Sequence, residues 1–301
     1  MVQLDDVRRP IADRLTEFDE FVRKSFAEKQ GTLLGDMVEY IITSRGKGLR
    51  PTLVMLAAGG SSASGSFGKR TMLAAMLVEM LHVASLVHDD VIDESDLRRG
   101  RASVNARWQS RNAVIVGDYI LAKNMDIGLK SGQYDLLNHI IGSMTTLCEG
   151  EILQSDHAGR LDTSREAYFD IIYKKTASLF ATCASAGAMS VGADRRTIEA
   201  MHRYGEALGM AFQIVDDLLD IQGDVHKLGK ETGMDAQRGK MTCPAVCGVE
   251  QARQDAAKPF AAEAARLGKL LKKLDSEQER LAAMQARQKD ALLLQSQLWR
   301  F

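Results

Sequence analysis

Apolar residues recur along this chain at helical spacing and are interrupted by short polar loops. Ala, Leu and Met dominate the long stretch between Pro51 and Pro244, which holds no proline. Such residues are strong helix formers, and the spacing is that of amphipathic helices. The pattern predicts helices over residues 7–27, 33–43, 52–58, 69–94, 112–129, 135–158, 164–191 and 194–221. Pro51 suits the first turn of a helix, where its missing N–H costs nothing. The Gly- and Ser-rich stretch 59–66 reads as a loop, as does the glycine-rich, charged stretch 223–240. From Thr242 the chain returns to helix and grows rich in Ala, Gln, Lys and Arg. No alternating Val/Ile/Thr run is bounded by turn residues, so strand signals are weak. No 20–50-residue period repeats. Long helices on short loops predict one all-α, bundle-like domain over residues 1–301.

Two polar interruptions of apolar helices stand out. Asp89, Asp90 and Asp93 form one Asp-Asp-x-x-Asp cluster; Asp216, Asp217 and Asp220 form another. Residues four apart share a helix face, so Asp89 projects with Asp93 and Asp216 with Asp220. Asp90 and Asp217 are turned away by about 100° and support from the flank. Like charges at this spacing destabilise a helix, and burying them without a partner costs far more. A counter-ion between them resolves the conflict. Oxygen ligands without His or Cys point to magnesium, typically shared with phosphate oxygens. The spacing is not that of an EF-hand.

Composition narrows the partners. The formal net charge is −1, which argues against a nucleic-acid or anionic-membrane partner. Cys148, Cys183, Cys243 and Cys247 match neither a zinc ribbon nor a thioredoxin-type pair, so they read as reduced thiols. The N-terminal residues lack the apolar core of a signal peptide. No run of about 18 apolar residues is found, so no transmembrane segment is expected. A cytoplasmic protein is the expectation.

The two clusters belong to a longer ordered set: Gly46-Lys47-Gly48-Leu49-Arg50-Pro51, Arg98-Arg99-Gly100, Lys175-Thr176, and Gly229-Lys230-Glu231-Thr232-Gly233-Met234-Asp235 with Gly239-Lys240. On these residues, from about Gly46 to Pro244, the sequence resembles the trans-isoprenyl (polyprenyl) diphosphate synthase family. The resemblance implies helices around a central cavity. It implies condensation of an allylic diphosphate with isopentenyl diphosphate, with magnesium as cofactor and a homodimer as the assembly. It further implies that Asp89 and Asp93 hold magnesium on the allylic diphosphate and that Asp216 holds a further ion, with Asp90 and Asp220 completing the clusters. Arg98, Lys175 and Lys230 resemble the cations that grip the allylic diphosphate. Lys47, Arg50, His82 and Arg99 resemble the isopentenyl diphosphate pocket, and Lys240 a group that helps close the site. Thr176 and Gln213 resemble the groups facing the developing carbocation. No side-chain base is needed, because in the family the released diphosphate takes the proton.

In that family, bulky aromatics four or five residues before the first aspartate stop chain growth. Here Ser85 and Ala84 stand there, both small, with Leu81 and Leu77 deeper. A product of C25 or longer is the expectation, with a quinone side chain as its use by analogy. A terpene cyclase would carry an Asn/Ser/Glu-type second motif. A regulatory subunit would lack intact clusters, and a helical scaffold would not need the glycine–lysine loops. The last fifty residues depart from the family's terminal pattern and end in Trp299-Arg300-Phe301.

Overall fold

Helix formation follows the capping chemistry of the sequence. The computed structural model describes residues 3–28, 31–62, 64–159, 164–222 and 241–274. Its helices are α1 (Leu4–Arg8), α2 (Ala12–Ser25), α3 (Leu33–Thr43), α4 (Leu49–Ser61), α5 (Lys69–Ile92), α6 (Val104–Lys130), α7 (Tyr134–His157), α8 (Arg165–Ile172), α9 (Ser178–Ser190), α10 (Arg195–Gln222), α11 (Cys243–Cys247) and α12 (Val249–Leu274). Thr32, Ser103 and Ser164 accept the backbone N–H three residues on, at 3.1, 3.3 and 3.2 Å, and so start α3, α6 and α8. Asp194 does the same for α10 at 2.7 Å. Pro10 splits the opening helix, placing a 3₁₀ turn, Arg9–Ile11, between α1 and α2. Pro51 sits in the first turn of α4, and that helix runs on through Gly59 and Gly60 before the loop begins.

Three differences from the sequence reading have local causes. A two-stranded antiparallel hairpin, β1 (Leu97–Arg98) with β2 (Arg101–Ala102), follows α5. Its turn, Arg99-Gly100, has φ of 54° and 73°, the doubly left-handed turn whose twist matches paired strands. Strands of two residues are too short to show an alternating pattern. α6 starts well before residue 112, interrupted by Gln109 at φ 71°. Between α8 and α9 the chain makes a π-helical turn, Tyr173–Ala177.

α5 is the central helix. It packs against α4, α6, α7 and α9. Met72 to Leu81 are all buried along it, glutamate included. α5 is also, by length and composition, apolar enough to cross a bilayer, and its apolar surface is met by the bundle, which buries most of that stretch. α10 lies against α9 and α12. A second core of Tyr168, Ile172, Ile214, Val215, Leu218 and Cys243 joins α8, α10 and α11. This core fixes α10, and with it the second acidic cluster, relative to α8.

Candidate active site

α5 and α10 each turn one polar stripe toward a shared cavity of about 1430 Å³. The α5 stripe is Glu79, His82, Ser85, Asp89 and Asp93, spaced at three- and four-residue steps, with Leu86 beside it. The α10 stripe is Phe212, Gln213, Asp216 and Asp217. Lys47 and Arg50 enter from the turn before α4 and from its first residues. Arg98 and Arg99 come from the hairpin, and Lys175 and Thr176 from the π-helical turn.

Of the proposed acidic ligands, Asp89, Asp93 and Asp216 line the cavity, while Asp90 and Asp220 do not. Asp90 is buried and accepts from Arg98 Nε at 2.9 Å and Nη2 at 2.5 Å. Its place is beneath Arg98, which it holds over the cavity. Asp220 is buried one turn past the lining, at the end of α10. Asp217 takes the position on the wall instead. It accepts from Tyr168 Oη at 2.6 Å, from the Cys243 backbone N–H at 2.8 Å and from Gln213 Nε2 at 3.0 Å. Thr176 Oγ1 donates to Gln213 Oε1 at 2.8 Å. Thr176, Gln213, Asp217 and Tyr168 are thus one hydrogen-bonded chain, which fixes the Gln213 amide in a single orientation.

The π-helical turn explains how Lys175 reaches the site. Such turns locally widen a helix and re-aim its side chains. Lys175 Nζ pairs with Glu151 Oε2 on α7 at 2.7 Å. The two elements touch at Gly150, where an added Cβ would lie 2.6 Å from the Lys175 backbone nitrogen. Only a residue without a side chain lets α7 approach so closely.

Electrostatics divide the cavity in two. Burial, then Glu151 and Asp93, push the Asp89 carboxyl up to about 6, against the pull of Lys175 and Arg98. At that end burial and the neighbouring carboxylates outweigh Lys175 and Arg98. The other end has a surplus of positive charge. Burial, then Arg50, Arg99 and Arg98, hold His82 well below the usual histidine range, so its ring is neutral at pH 7. Burial also lowers Arg50, whose guanidinium stacks 5.3 Å from the Phe180 ring centroid. Its Nε is buried with no hydrogen-bond partner among the described residues. Glu79, buried beside these arginines, is raised by desolvation while Arg50, Arg45 and Arg99 oppose the shift.

The positions read as a chain-length floor are separated by the structure. Ser85 lines the cavity, whereas Ala84, Leu81 and Leu77 are buried in the core. Lys230, Lys240 and the C-terminal tail lie outside the described residues. Glu79 and Tyr168 are groups that sequence reasoning missed. Tyr168 carries no local signal, since its partner Asp217 is 49 residues away.

The polyprenyl synthetase family model matches residues 31–285. The short chain isoprenyl diphosphate synthase of Methanothermobacter thermautotrophicus is 34% identical over 258 residues, covering 84% of this chain and 78% of the relative. The fold resembles a decaprenyl diphosphate synthase from Rhodobacter capsulatus with a TM-score of 0.79, at 28% identity and 98% coverage of both chains. It also resembles a polyprenyl synthase from Caulobacter crescentus, solved with calcium and isoprenyl diphosphate. There the TM-score is 0.75 at 29% identity, over 98% of this chain and 87% of the other.

Proposed function

The chain belongs to the polyprenyl synthetase family of trans-prenyltransferases, and from that premise we propose that it is a magnesium-dependent synthase of a medium- or long-chain polyprenyl diphosphate. It lengthens a farnesyl- or geranylgeranyl-type allylic diphosphate with isopentenyl diphosphate and releases diphosphate. The observation that carries this reading is the meeting of acidic residues from α5 and α10 in one cavity that Lys47, Arg50, Arg98, Arg99 and Lys175 also line.

The residues present fit a divalent cation. Asp89, Asp93 and Asp216 offer oxygen donors alone, the chemistry of magnesium. Burial and the neighbouring Glu151 and Asp93 leave the Asp89 carboxyl protonation-prone, a conflict that a bound cation would relieve. The Caulobacter relative, solved with calcium and isoprenyl diphosphate, supports the pairing of such an ion with a diphosphate. Magnesium bound there would neutralise the leaving diphosphate as the carbon–oxygen bond breaks.

The chain's own groups do the remaining work. Arg98, steadied by Asp90, and Lys175, steadied by Glu151, grip the allylic diphosphate. Lys47, Arg50 and Arg99 receive isopentenyl diphosphate, and the orphaned Nε of Arg50 is a donor that a phosphate oxygen would satisfy. Neutral His82 adds a hydrogen bond rather than a charge. Thr176 and Gln213 present fixed oxygens to the allylic cation, an orientation set before reaction begins. The double bond of isopentenyl diphosphate attacks that cation, and the proton then lost goes to the released diphosphate. Lys230 and Lys240 add cations from outside the described residues. Small Ser85 leaves the wall open for products of C25 or longer. Exposed Ile115, Met125 and Leu129 along α6 support a homodimer.

The test is product analysis. Purified protein with magnesium, labelled isopentenyl diphosphate and farnesyl diphosphate should yield a defined polyprenol of C25 or longer after hydrolysis. Chelator should abolish it. A folded protein that makes no product from farnesyl diphosphate, or from geranylgeranyl diphosphate in its place, would overturn the reading and favour a subunit that needs a partner.

A further inference from the structure

α11 is a single turn that begins Cys243-Pro244 and ends at Gly248, whose φ is 81°. The four-residue step places Cys243 and Cys247 on one face, with sulfurs 3.5 Å apart. The chain reverses at Gly248 into α12. That reversal carries Asp255 back to the pair, with Oδ2 3.9 Å from Cys247 Sγ. The ligand atoms of all three residues lie within 4.8 Å of one another. Sequence spacing alone gives no hint of this third ligand; the return of α12 supplies it.

We propose that Cys243, Cys247 and Asp255 form a binding site for a soft divalent cation, zinc by the chemistry of its ligands, separate from the magnesium site and joined to it by one backbone amide. Four observations carry this. The sulfur spacing is close to the about 3.8 Å expected across a tetrahedral ion with metal–sulfur bonds of about 2.3 Å. Thiolates select zinc over magnesium, so the two sites do not compete for one ion. The carboxylate is already oriented: Arg165 Nη2 donates to Asp255 Oδ2 at 2.7 Å and Gln251 Nε2 to Oδ1 at 2.9 Å, the supporting bonds that metal-bound carboxylates characteristically carry. Charge also closes. Two thiolates and a carboxylate are balanced by the ion together with Arg165. Cys243 is fully buried while Cys247 is half-buried, so the ion has a way in and one open coordination position.

The link to the catalytic cavity is direct. The Cys243 backbone N–H donates to Asp217 Oδ2 at 2.8 Å, beside the Tyr168 hydroxyl on the same oxygen. An ion that pins α11 pins this amide, and so the wall that carries Gln213. Cys243, Cys247 and Asp255 are positioning residues in this scheme.

The test uses full-length protein, reduced and stripped with chelator, then titrated with cobalt(II). One ion per chain should bind, with a thiolate-to-cobalt charge-transfer band that zinc abolishes and magnesium leaves unchanged. Cys247→Ser should remove most of the band and Asp255→Asn should weaken binding at least tenfold. Cys148→Ser and Cys183→Ser should leave both unaffected. Zinc should slow alkylation of Cys247 at least tenfold. Should Cys243→Ser prevent folding, the partly exposed Cys247→Ser and the alkylation rate still decide the matter. Absence of the band in folded wild-type protein, or its survival in Cys247→Ser, would overturn the proposal. Because the readout is spectroscopic, its failure is distinct from any failure of prenyl transfer.

Discussion

Asp89→Asn should make the metal-free protein more stable and nearly inactive. The Asp89 carboxyl is raised from an ordinary 3.8 to about 6, chiefly by burial, then by Glu151. A carboxyl whose folded pKa exceeds its unfolded one binds protons more tightly in the native state. Its charge therefore costs stability above the folded pKa, and the cost fades as acid titrates the group. The gap amounts to ~3 kcal/mol near pH 8 and about half of that near pH 5. Asparagine keeps the shape and removes the charge. Urea unfolding in EDTA, followed by helical circular dichroism, should show the variant more stable by up to that amount near pH 8, with the gain roughly halved near pH 5. Magnesium with inorganic diphosphate should then stabilise the wild type and leave the variant unmoved. The kcat should fall by roughly two to three orders of magnitude. A variant no more stable than wild type near pH 8, or an equal gain at both pH values, would refute the reasoning.

Ser85→Phe should shorten the product by at least one isoprene unit in the chain-length assay. Ala84→Phe has no free wall to occupy and should instead lower stability by ~1–3 kcal/mol through overpacking, read by thermal unfolding. Gly150→Ala should push α7 off the π-helical turn, displace Lys175, and cut kcat by roughly tenfold or more with smaller change in KM for isopentenyl diphosphate. Tyr168→Phe removes a buried hydrogen bond to a carboxylate and should cost ~1.5–3 kcal/mol in unfolding experiments, with a fall in kcat as Gln213 loosens.

The long helices were legible because proline-free apolar runs leave few alternatives. Asp89 and Asp216 were legible because carboxylates inside such runs need an explanation. The division of labour within each cluster was not. Asp90 sits about 100° round α5 from Asp89, and only the fold shows that this direction meets Arg98 rather than the cavity. On α10 the same rotation brings Asp217 to the wall and leaves Asp220 behind it. The hairpin escaped because two-residue strands have no period. Tyr168 and Asp255 escaped because their partners come from other elements. For Ala84 and Ser85, adjacency in sequence hid opposite environments, one in the core and one on the cavity wall.

The π-helical turn at Tyr173–Ala177 behaves as a one-residue insertion absorbed without a loop. Removing one residue there would restore an ordinary helix and leave the flanking helices α8 and α9 facing as they do now, while the side chains within the turn would shift around the axis. The helix would survive such a deletion, and so would its hydrogen bonds, but Lys175 and Thr176 could not both keep their facing. The register of this one turn is therefore a coordinate of the reaction in its own right. Homologous chains that keep every charged residue yet lose the extra backbone position should have a differently wired phosphate grip.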